Sequence, residues 1–389
     1  MTFKSWFFAF HSLLDKHDFF KLKTQKPLFA FTVMYYCNIL SENTHLVKKI
    51  DIKSFFELSK ELPLFDVRTP AEFSQGHIPQ AHNLALFSNE ERAVVGTIYK
   101  QDSPKAAMLK GLEFVGPKMR PLIEEVATKI SSKSLAVHCW RGGKRSSSVG
   151  WLLGMGGFEV STITGGYKAY RTHVLQQFHD LDLKLIVLGG KTGAGKTKIL
   201  RALAEKGEQV VDLEALAHHK GSAFGFIGEA TSPTVEQFEN NLFEALNQLD
   251  FSKRIWVENE SRRIGKVLIP QGFWNQMRQA TLINIELPFD IRLAVSLENY
   301  TTKDTSQLQK AFYNIRKRLG GQNLQSAMSY LDEGNLSAAA SIALKYYDKQ
   351  YQYMLEKNDA PNIKYLAFEQ NEPKKTADYL MNYVNQNKL

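Results

Sequence analysis

Two short segments of this chain bring together residue types that can do chemistry. The first is Cys139-Trp140-Arg141-Gly142-Gly143-Lys144-Arg145-Ser146, which follows directly on the apolar run Ser134 to His138. A thiol at a helix N-terminus beside cations ionises easily, its pKa falling from about 8.5 to roughly 3.5–7.5. Ser146-Ser147-Ser148 reads as an N-cap before the apolar stretch Val149 to Met155, and Arg141, Lys144 and Arg145 are expected around the sulfur. Gly142 and Gly143 allow the loop amides to converge on the sulfur and its cargo as an anion nest. The alternative is a buried, inert cysteine, but an apolar core position has no need of three cations and two glycines around it. Cys139 is therefore predicted to be the catalytic nucleophile, with Arg141, Gly142, Gly143, Lys144 and Arg145 supporting its charge.

The second segment, Gly190-Lys191-Thr192-Gly193-Ala194-Gly195-Lys196-Thr197, fits G-x-x-x-x-G-K-[ST] at every fixed position. Its context agrees: residues 183–190 read as a buried strand and Lys198 to Lys206 as the helix after the loop. Gly190, Gly193, Gly195, Lys196 and Thr197 are the expected phosphate binders. Amides at the helix N-terminus hold phosphate oxygens, Lys196 supplies a point charge, and the Thr197 hydroxyl can take Mg2+. A further strand, Arg254 to Val257, ends at Glu258-Asn259-Glu260, where carboxylates can orient a metal or act as an acid or base. The competing reading of Glu258 and Glu260 is a solvated helix start. Between these lie Asp212, Glu214, His218 and His219. Adjacent histidines on a helix point apart, so contact with substrate is favoured there over metal ligation.

These segments need strands and helices to hold them. From Lys48 the chain alternates apolar strands with helical patterns: Phe55 to Glu61, a strand over Leu62 to Val67, a helix at Ala71 to Gln75, a strand end at Ala81 to Leu84, and a long helical stretch from Glu90. Such alternation predicts parallel βα units. In a parallel sheet the strands' carboxyl ends collect the site, which is where Cys139 falls. Asp66 and Arg68 are expected to be a structural pair, and His77 to be packing. Towards the C-terminus, Lys310 to Leu319 has helical spacing with Arg316, Lys317 and Arg318, and Tyr346-Tyr347 to Tyr353 forms an aromatic and charged helix. Aromatics interleaved with cations suit folded RNA with splayed bases; the same helices would equally pack a small all-α subdomain.

The chain of 389 residues is long enough for two domains, and its 43% hydrophobic and 23% charged residues are ordinary for a soluble protein. A net charge of +9 permits a polyanionic partner without demanding one. Cys37 and Cys139 cannot build a disulfide framework, which suits a reducing compartment and leaves Cys139 free to react. Residues 1–45 differ from the rest, with aromatic clusters broken by Lys21, Lys23 and Lys26. The run Phe29 to Leu40 is shorter than the ~20 residues that span a bilayer, and no signal cleavage site follows it. A start assigned upstream of Met34 is the simplest account of this extension, to which no role is given.

Leu64-Phe65-Asp66-Val67-Arg68-Thr69-Pro70-Ala71-Glu72-Phe73 with Gly76-His77-Ile78-Pro79-Gln80-Ala81, and the closing Ile163-Thr164-Gly165-Gly166-Tyr167, resemble the rhodanese-like sulfurtransferase domain. Joined to the phosphate loop, and with Asn89 to Gln101, Val211 to Glu214, His219 to Gly225 and Glu258 to Arg262, the whole resembles the tRNA 2-selenouridine synthase family over roughly residues 46–370. The resemblance implies an α/β chain with an N-terminal extension at 1–45, a rhodanese-like parallel-sheet domain at 46–178, and a P-loop α/β domain with a helical C-terminal part at 179–389. It further implies a transferase acting on the wobble uridine of tRNA, expected for lysine, glutamate and glutamine acceptors. In that reaction 2-thiouridine is alkylated by geranyl diphosphate, and the S-geranyl group is then replaced by selenium from selenophosphate. Cys139 would carry selenium, and the phosphate loop would hold a diphosphate leaving group.

The implied partners are tRNA and the enzyme that supplies selenophosphate. No tightly bound cofactor or protein-held metal is expected, and the protein is expected to be a cytoplasmic monomer without membrane contact. Two rival readings keep the same motifs: a nucleotide-coupled rhodanese-type tRNA sulfurtransferase, and a tRNA-binding regulator with a degenerate rhodanese module. Such modules usually lack the cysteine, so Cys139 counts against the second rival.

Overall fold

The computed structural model describes residues 47–58, 62–299, 304–356 and 362–389; the extension at 1–45, with Cys37, lies outside them. Two all-parallel sheets are built in succession. The first comprises β1 (Val47–Ile50), β2 (Leu64–Asp66), β3 (His82–Asn83), β4 (Ser134–His138) and β5 (Glu159–Ile163) in the order β1-β5-β4-β2-β3. Leu135, Ala136 and Val137 of the central strand β4 are fully buried, as expected for a strand covered by helices on both faces. Every crossover here is helical. Pro70–Gln75 starts on a complete capping box between Thr69 and Glu72, and Asn89–Gln101 on another between Ser88 and Glu91.

The strand expected over Leu62 to Val67 is confined to Leu64–Asp66. Asp66 ends it because its carboxylate turns back onto the Arg68 amide and guanidinium, which takes the chain out of the sheet. The helix expected to be capped by Ser146-Ser147-Ser148 starts earlier, at Lys144, with Gly143 as its N-cap. That shift places Ser146 inside the first turn, beside the sulfur.

The second sheet comprises β6 (Leu185–Gly190), β7 (Gln209–Val211), β8 (Ile255–Glu258), β11 (Thr281–Glu286) and β12 (Ile363–Ala367) in the order β12-β11-β6-β8-β7. The hairpin β9 (Arg263–Ile264) and β10 (Val267–Leu268) stands apart from it. β6, with all six residues buried, lies at the centre and feeds the phosphate loop, which runs into the helix Lys196–Glu205. Helices Thr305–Leu319, Gly321–Asp332 and Leu336–Glu356 pack around their own apolar cluster of Leu308, Phe312, Ile315, Leu331 and Ala339.

The sheets share one core. Tyr170, Val174 and Phe178 on helix Gly166–Asp180 pack with Phe238, Leu242 and Phe243 on helix Val235–Asn247. Polar contacts line the same seam: Arg171 pairs with Glu239, Asn240 donates to His77 O at 2.8 Å, and Thr234 donates to Gln75 O at 2.5 Å. Among the described residues no helix is long and apolar enough to cross a membrane.

Candidate active site: a thiol loop and a phosphate loop

β4 delivers Cys139 to the carboxyl edge of the first sheet, and the chain turns through Gly142 into the helix Lys144–Met155. Gly142 has φ +63°, and a Cβ there would lie 2.4 Å from Ile163 O, so the turn closes only with glycine. Gly166 has φ +57°, and its Cβ would meet Cys139 O at 2.2 Å. The closing motif Gly165-Gly166-Tyr167 thus forms one wall of the cysteine loop, and Tyr167 N–H donates to Cys139 O at 2.9 Å.

Cys139 Sγ is almost fully buried and lies 3.3 Å from Ser146 Oγ, which also sits 3.1 Å from Gly143 O. A hydroxyl has one proton to donate; a thiolate, as the stronger acceptor, draws it from the carbonyl. Burial pushes the thiol up, but the Ser146 hydroxyl and the amides of Ser146, Arg141 and Gly143 outweigh it, and Cys139 ends below the ordinary thiol value. Of the three cations expected around the sulfur, Arg145 lies within electrostatic reach of Cys139. Arg145 is half-buried and bound bidentate to Glu72 at 2.6 and 3.0 Å. Arg141 and Lys144 are exposed. The thiolate is held by a hydroxyl and amides.

Asp66 and Arg68 form the expected structural pair, buried and bidentate, with Arg68 Nε donating to Asp66 Oδ1 at 3.0 Å and Nη2 to Oδ2 at 2.5 Å. Arg68 also donates to Gly76 O at 2.7 Å, and its guanidinium lies 3.8 Å from the Tyr167 ring centroid. His77 is packing, stacked on Phe73 with ring centroids 3.8 Å apart. His138, fully buried, has its pKa lowered by desolvation, so it stays neutral beneath the loop.

In the second sheet the phosphate loop spans Gly190 to Thr197. Gly193, at φ +82°, passes so close to the helix Phe289–Asn299 that a Cβ would lie 2.3 Å from Arg292 O. Arg292 donates to Thr192 O at 3.0 Å and is bound bidentate by Asp348, while Tyr351 OH accepts from Gly190 N–H at 2.7 Å. Helix Leu336–Glu356 therefore braces the loop from outside. Lys196 Nζ donates to Gly190 O at 3.1 Å, folded back over the cradle it would serve.

Glu214 accepts from Thr197 Oγ1 at 3.3 Å and is hydrogen-bonded to Glu260. Burial, and then repulsion by Glu214, pushes Glu260 up to about 8. Glu258 lies deeper, with no exposed surface; Leu213 N–H donates to its Oε2 at 3.1 Å, and burial with the charges of Asp212 and Glu214 holds it well above the usual carboxylate range. Glu260, beside Lys196, is thus kept protonated near neutral pH. This lowers the negative charge that an entering phosphate would meet. The surrounding cavity, of about 450 Å3, is lined by the phosphate loop, Lys220 to Ser222, Glu260, Tyr347, Gln350, Tyr351 and Met354. Among the described residues no group of three His, Cys, Asp or Glu side chains is arranged to hold a metal ion.

The solvated-start reading of Glu258 and Glu260 is excluded by their burial. His218 Nδ1–H donates to Thr231 O at 2.9 Å, whereas His219 is packed against Gly225 and Gly265. The sequence reading missed Ser146, taken there for a cap, and the bracing pair Arg292 and Tyr351. The seven-residue spacing from Cys139 to Ser146 was a usable signal once the helix start was known; nothing local marks Arg292 or Tyr351.

A rhodanese-like domain joined to a P-loop domain is the class that this fold and these two loops define. Residues 51–173 match the rhodanese-like domain, and residues 183–386 match the tRNA 2-selenouridine synthase AAA domain. The chain is 34% identical over 332 residues to a protein of Hydrogenovibrio crunogenus named tRNA 2-selenouridine synthase, covering 77% of this chain and 90% of that one. Proteins of the same name from Proteus mirabilis (34% over 335 residues, 77% and 91%) and Psychromonas ingrahamii (32% over 328 residues, 76% and 88%) are similar over the same extent. The chain belongs to the tRNA 2-selenouridine synthase family.

Proposed function

We propose that the protein converts 2-thiouridine at the tRNA wobble position to 2-selenouridine through an S-geranyl intermediate, with each half-reaction served by one loop. The observation that supports the reading most directly is the pairing, in a chain of this family, of a thiol held below its ordinary pKa with a complete phosphate loop. In the first step the thiouridine sulfur attacks the allylic carbon of geranyl diphosphate, the carbon–oxygen bond breaks, and diphosphate leaves into the phosphate loop. Lys196 and the loop amides meet the charge that develops on the leaving group. Mg2+, if carried in with the diphosphate, would be met by Thr197 and Glu214 and would add charge neutralisation there. In the second step the Cys139 thiolate, held by the Ser146 hydroxyl and loop amides, attacks C2 of the S-geranyl uridine and geranylthiol leaves, a far better leaving group than the original thiocarbonyl sulfur. Selenophosphate enters past Arg141 and Lys144, its selenide-level selenium displaces Cys139 from C2, and water takes the phosphoryl group off selenium as phosphate, so that no change of oxidation state is needed. tRNA of the lysine, glutamate and glutamine acceptors is the partner in this reading, with a selenophosphate-producing enzyme upstream.

The test is a single-turnover comparison of the two half-reactions. With Cys139→Ser, selenation of geranylated tRNA is lost while geranylation of thiolated tRNA survives. With Lys196→Ala, geranylation falls by about two to three orders of magnitude while selenation survives. Equal loss of both activities in both variants overturns the division of labour. Product formation that needs ATP and thiosulfate instead identifies a nucleotide-coupled sulfurtransferase.

A further inference from the structure

A second space opens off the phosphate cavity. It is a cleft of about 60 Å3 between helices Phe289–Asn299, Thr305–Leu319 and Leu336–Glu356, and Thr192, Ser222, Ser296 and Tyr347 line both spaces. Beyond that shared rim the walls are hydrocarbon: Leu297, Phe312, Leu331, Ala340 and Leu344. Ala339 and Ala343, one helical turn apart, leave the room that larger side chains would fill. Phe224 closes one side, packed edge-on against Phe312 with ring centroids 5.0 Å apart. The rim itself is built into the phosphate loop, since Thr192 O accepts from Arg292 and Ser296 Oγ donates to Arg292 O at 2.8 Å.

A phosphate cradle that continues into a hydrocarbon cleft is complementary to an ester with a charged head and an apolar tail. A nucleotide places a polar ribose and base beyond its phosphates, for which these walls offer no hydrogen-bond partners. We infer that the cleft between these three helices is the subsite for the hydrocarbon chain of a prenyl diphosphate whose diphosphate lies in the phosphate loop, and that it sets the chain length accepted. The inference rests on the proposed function for its allylic substrate, but the location of the subsite is an independent claim. At about 60 Å3 the cleft is smaller than the roughly 150 Å3 cavity that accepts benzene, so it takes only the end of the chain. The rest lies along the rim in the 450 Å3 cavity. A subsite that grips only the chain end works as a ruler.

The experiment measures binding of inorganic diphosphate and of dimethylallyl, geranyl and farnesyl diphosphates to the full-length protein. Burying two methylenes of the chain is worth about tenfold in affinity, so geranyl diphosphate should bind at least ~10-fold more tightly than inorganic diphosphate. Ala340→Phe, at a half-buried position, should bring that ratio to within about 3-fold while leaving inorganic diphosphate binding unchanged, which also shows that the variant is folded. Leu336→Ala, on the same wall, should shift the preference towards farnesyl diphosphate. If the native protein does not favour geranyl over inorganic diphosphate, or if neither variant changes the chain-length profile, the subsite is wrong. If the profile changes as expected but no geranyl group reaches thiolated tRNA, the subsite stands and the proposed reaction fails.

Discussion

Tyr167 and Glu236 are joined across the two sheets: the phenol, fully buried, donates to Glu236 Oε1 at 2.7 Å. Asn240 Nδ2 donates to the same phenolic oxygen at 2.8 Å. The backbone N–H of Tyr167 holds the Cys139 carbonyl. One residue therefore contacts the thiol loop through its main chain and the P-loop domain through its side chain. The link is local and physical, and it makes the relative placement of the two loops part of the folded core.

Tyr167→Phe keeps the ring against Arg68 and removes only the hydroxyl, leaving Glu236 and Asn240 without that partner. A loss of about 1–3 kcal/mol is expected, read from the urea midpoint with its slope unchanged. The main-chain bond to Cys139 survives, so the alkylation rate of the thiol should not move. An unaltered midpoint would show that the seam is held by its apolar contacts alone.

Ser146→Ala tests what holds the thiolate. Because the hydroxyl favours the charged form, removing it must raise the thiol pKa. Alkylation rate against pH should show a half-point below that of an ordinary thiol in the native protein and a shift upward in the variant. The amides of Ser146, Arg141 and Gly143 remain, so the shift is partial. A half-point unmoved by the substitution would assign the effect to the amides alone.

Glu260 makes stability depend on pH with a definite sign. Its folded pKa, about 8, lies above the ordinary carboxyl value near 4.3, so between these values the folded state binds the extra proton. Its contribution is complete below the ordinary value and is lost as pH rises through about 8. Glu260→Gln should come closest to the native protein in urea unfolding at about pH 4, and its advantage should grow as pH rises towards about 8, where it levels off. Glu258 and Glu214, raised in the same direction, leave part of this dependence in the variant. Parallel curves across the range would mean that Glu260 is not desolvated.

The loops themselves were legible in the sequence because their chemistry is local: glycines, cations and a nucleophile within eight residues, each run following an apolar strand. The parallel α/β architecture followed from alternation alone. What could not be read was long-range. Glu72 binds Arg145 across 73 positions, and Tyr351 reaches Gly190 across 161. Neither partner has a local pattern that announces it. Ser146 was misplaced for a different reason: serine is a good cap, and Gly143 supplied the helix start instead, without a side-chain hydrogen bond. The two readings of the C-terminal helices also prove compatible, since Leu308, Phe312 and Ile315 face a core while Lys317 and Arg318 on the same helix are exposed.

That exposed face leads to a salt-dependence prediction. On helix Thr305–Leu319 the Arg316 guanidinium lies 4.1 Å from the exposed Tyr313 ring, with Lys317 and Arg318 beside it. A cation over an aromatic face next to further cations suits a phosphate backbone with a neighbouring unstacked base. Replacing Arg316, Lys317 and Arg318 together by alanine should weaken tRNA binding. Each lost phosphate contact removes about 0.7–0.9 from the slope of log affinity against log salt, so three contacts predict a slope shallower by about 2–3. The buried face of the helix is untouched, and an unchanged far-ultraviolet circular dichroism spectrum would confirm that the bundle persists. A native slope retained by the triple variant would move the RNA surface elsewhere, with the exposed Arg141 and Lys144 at the thiol loop as the next cations to replace.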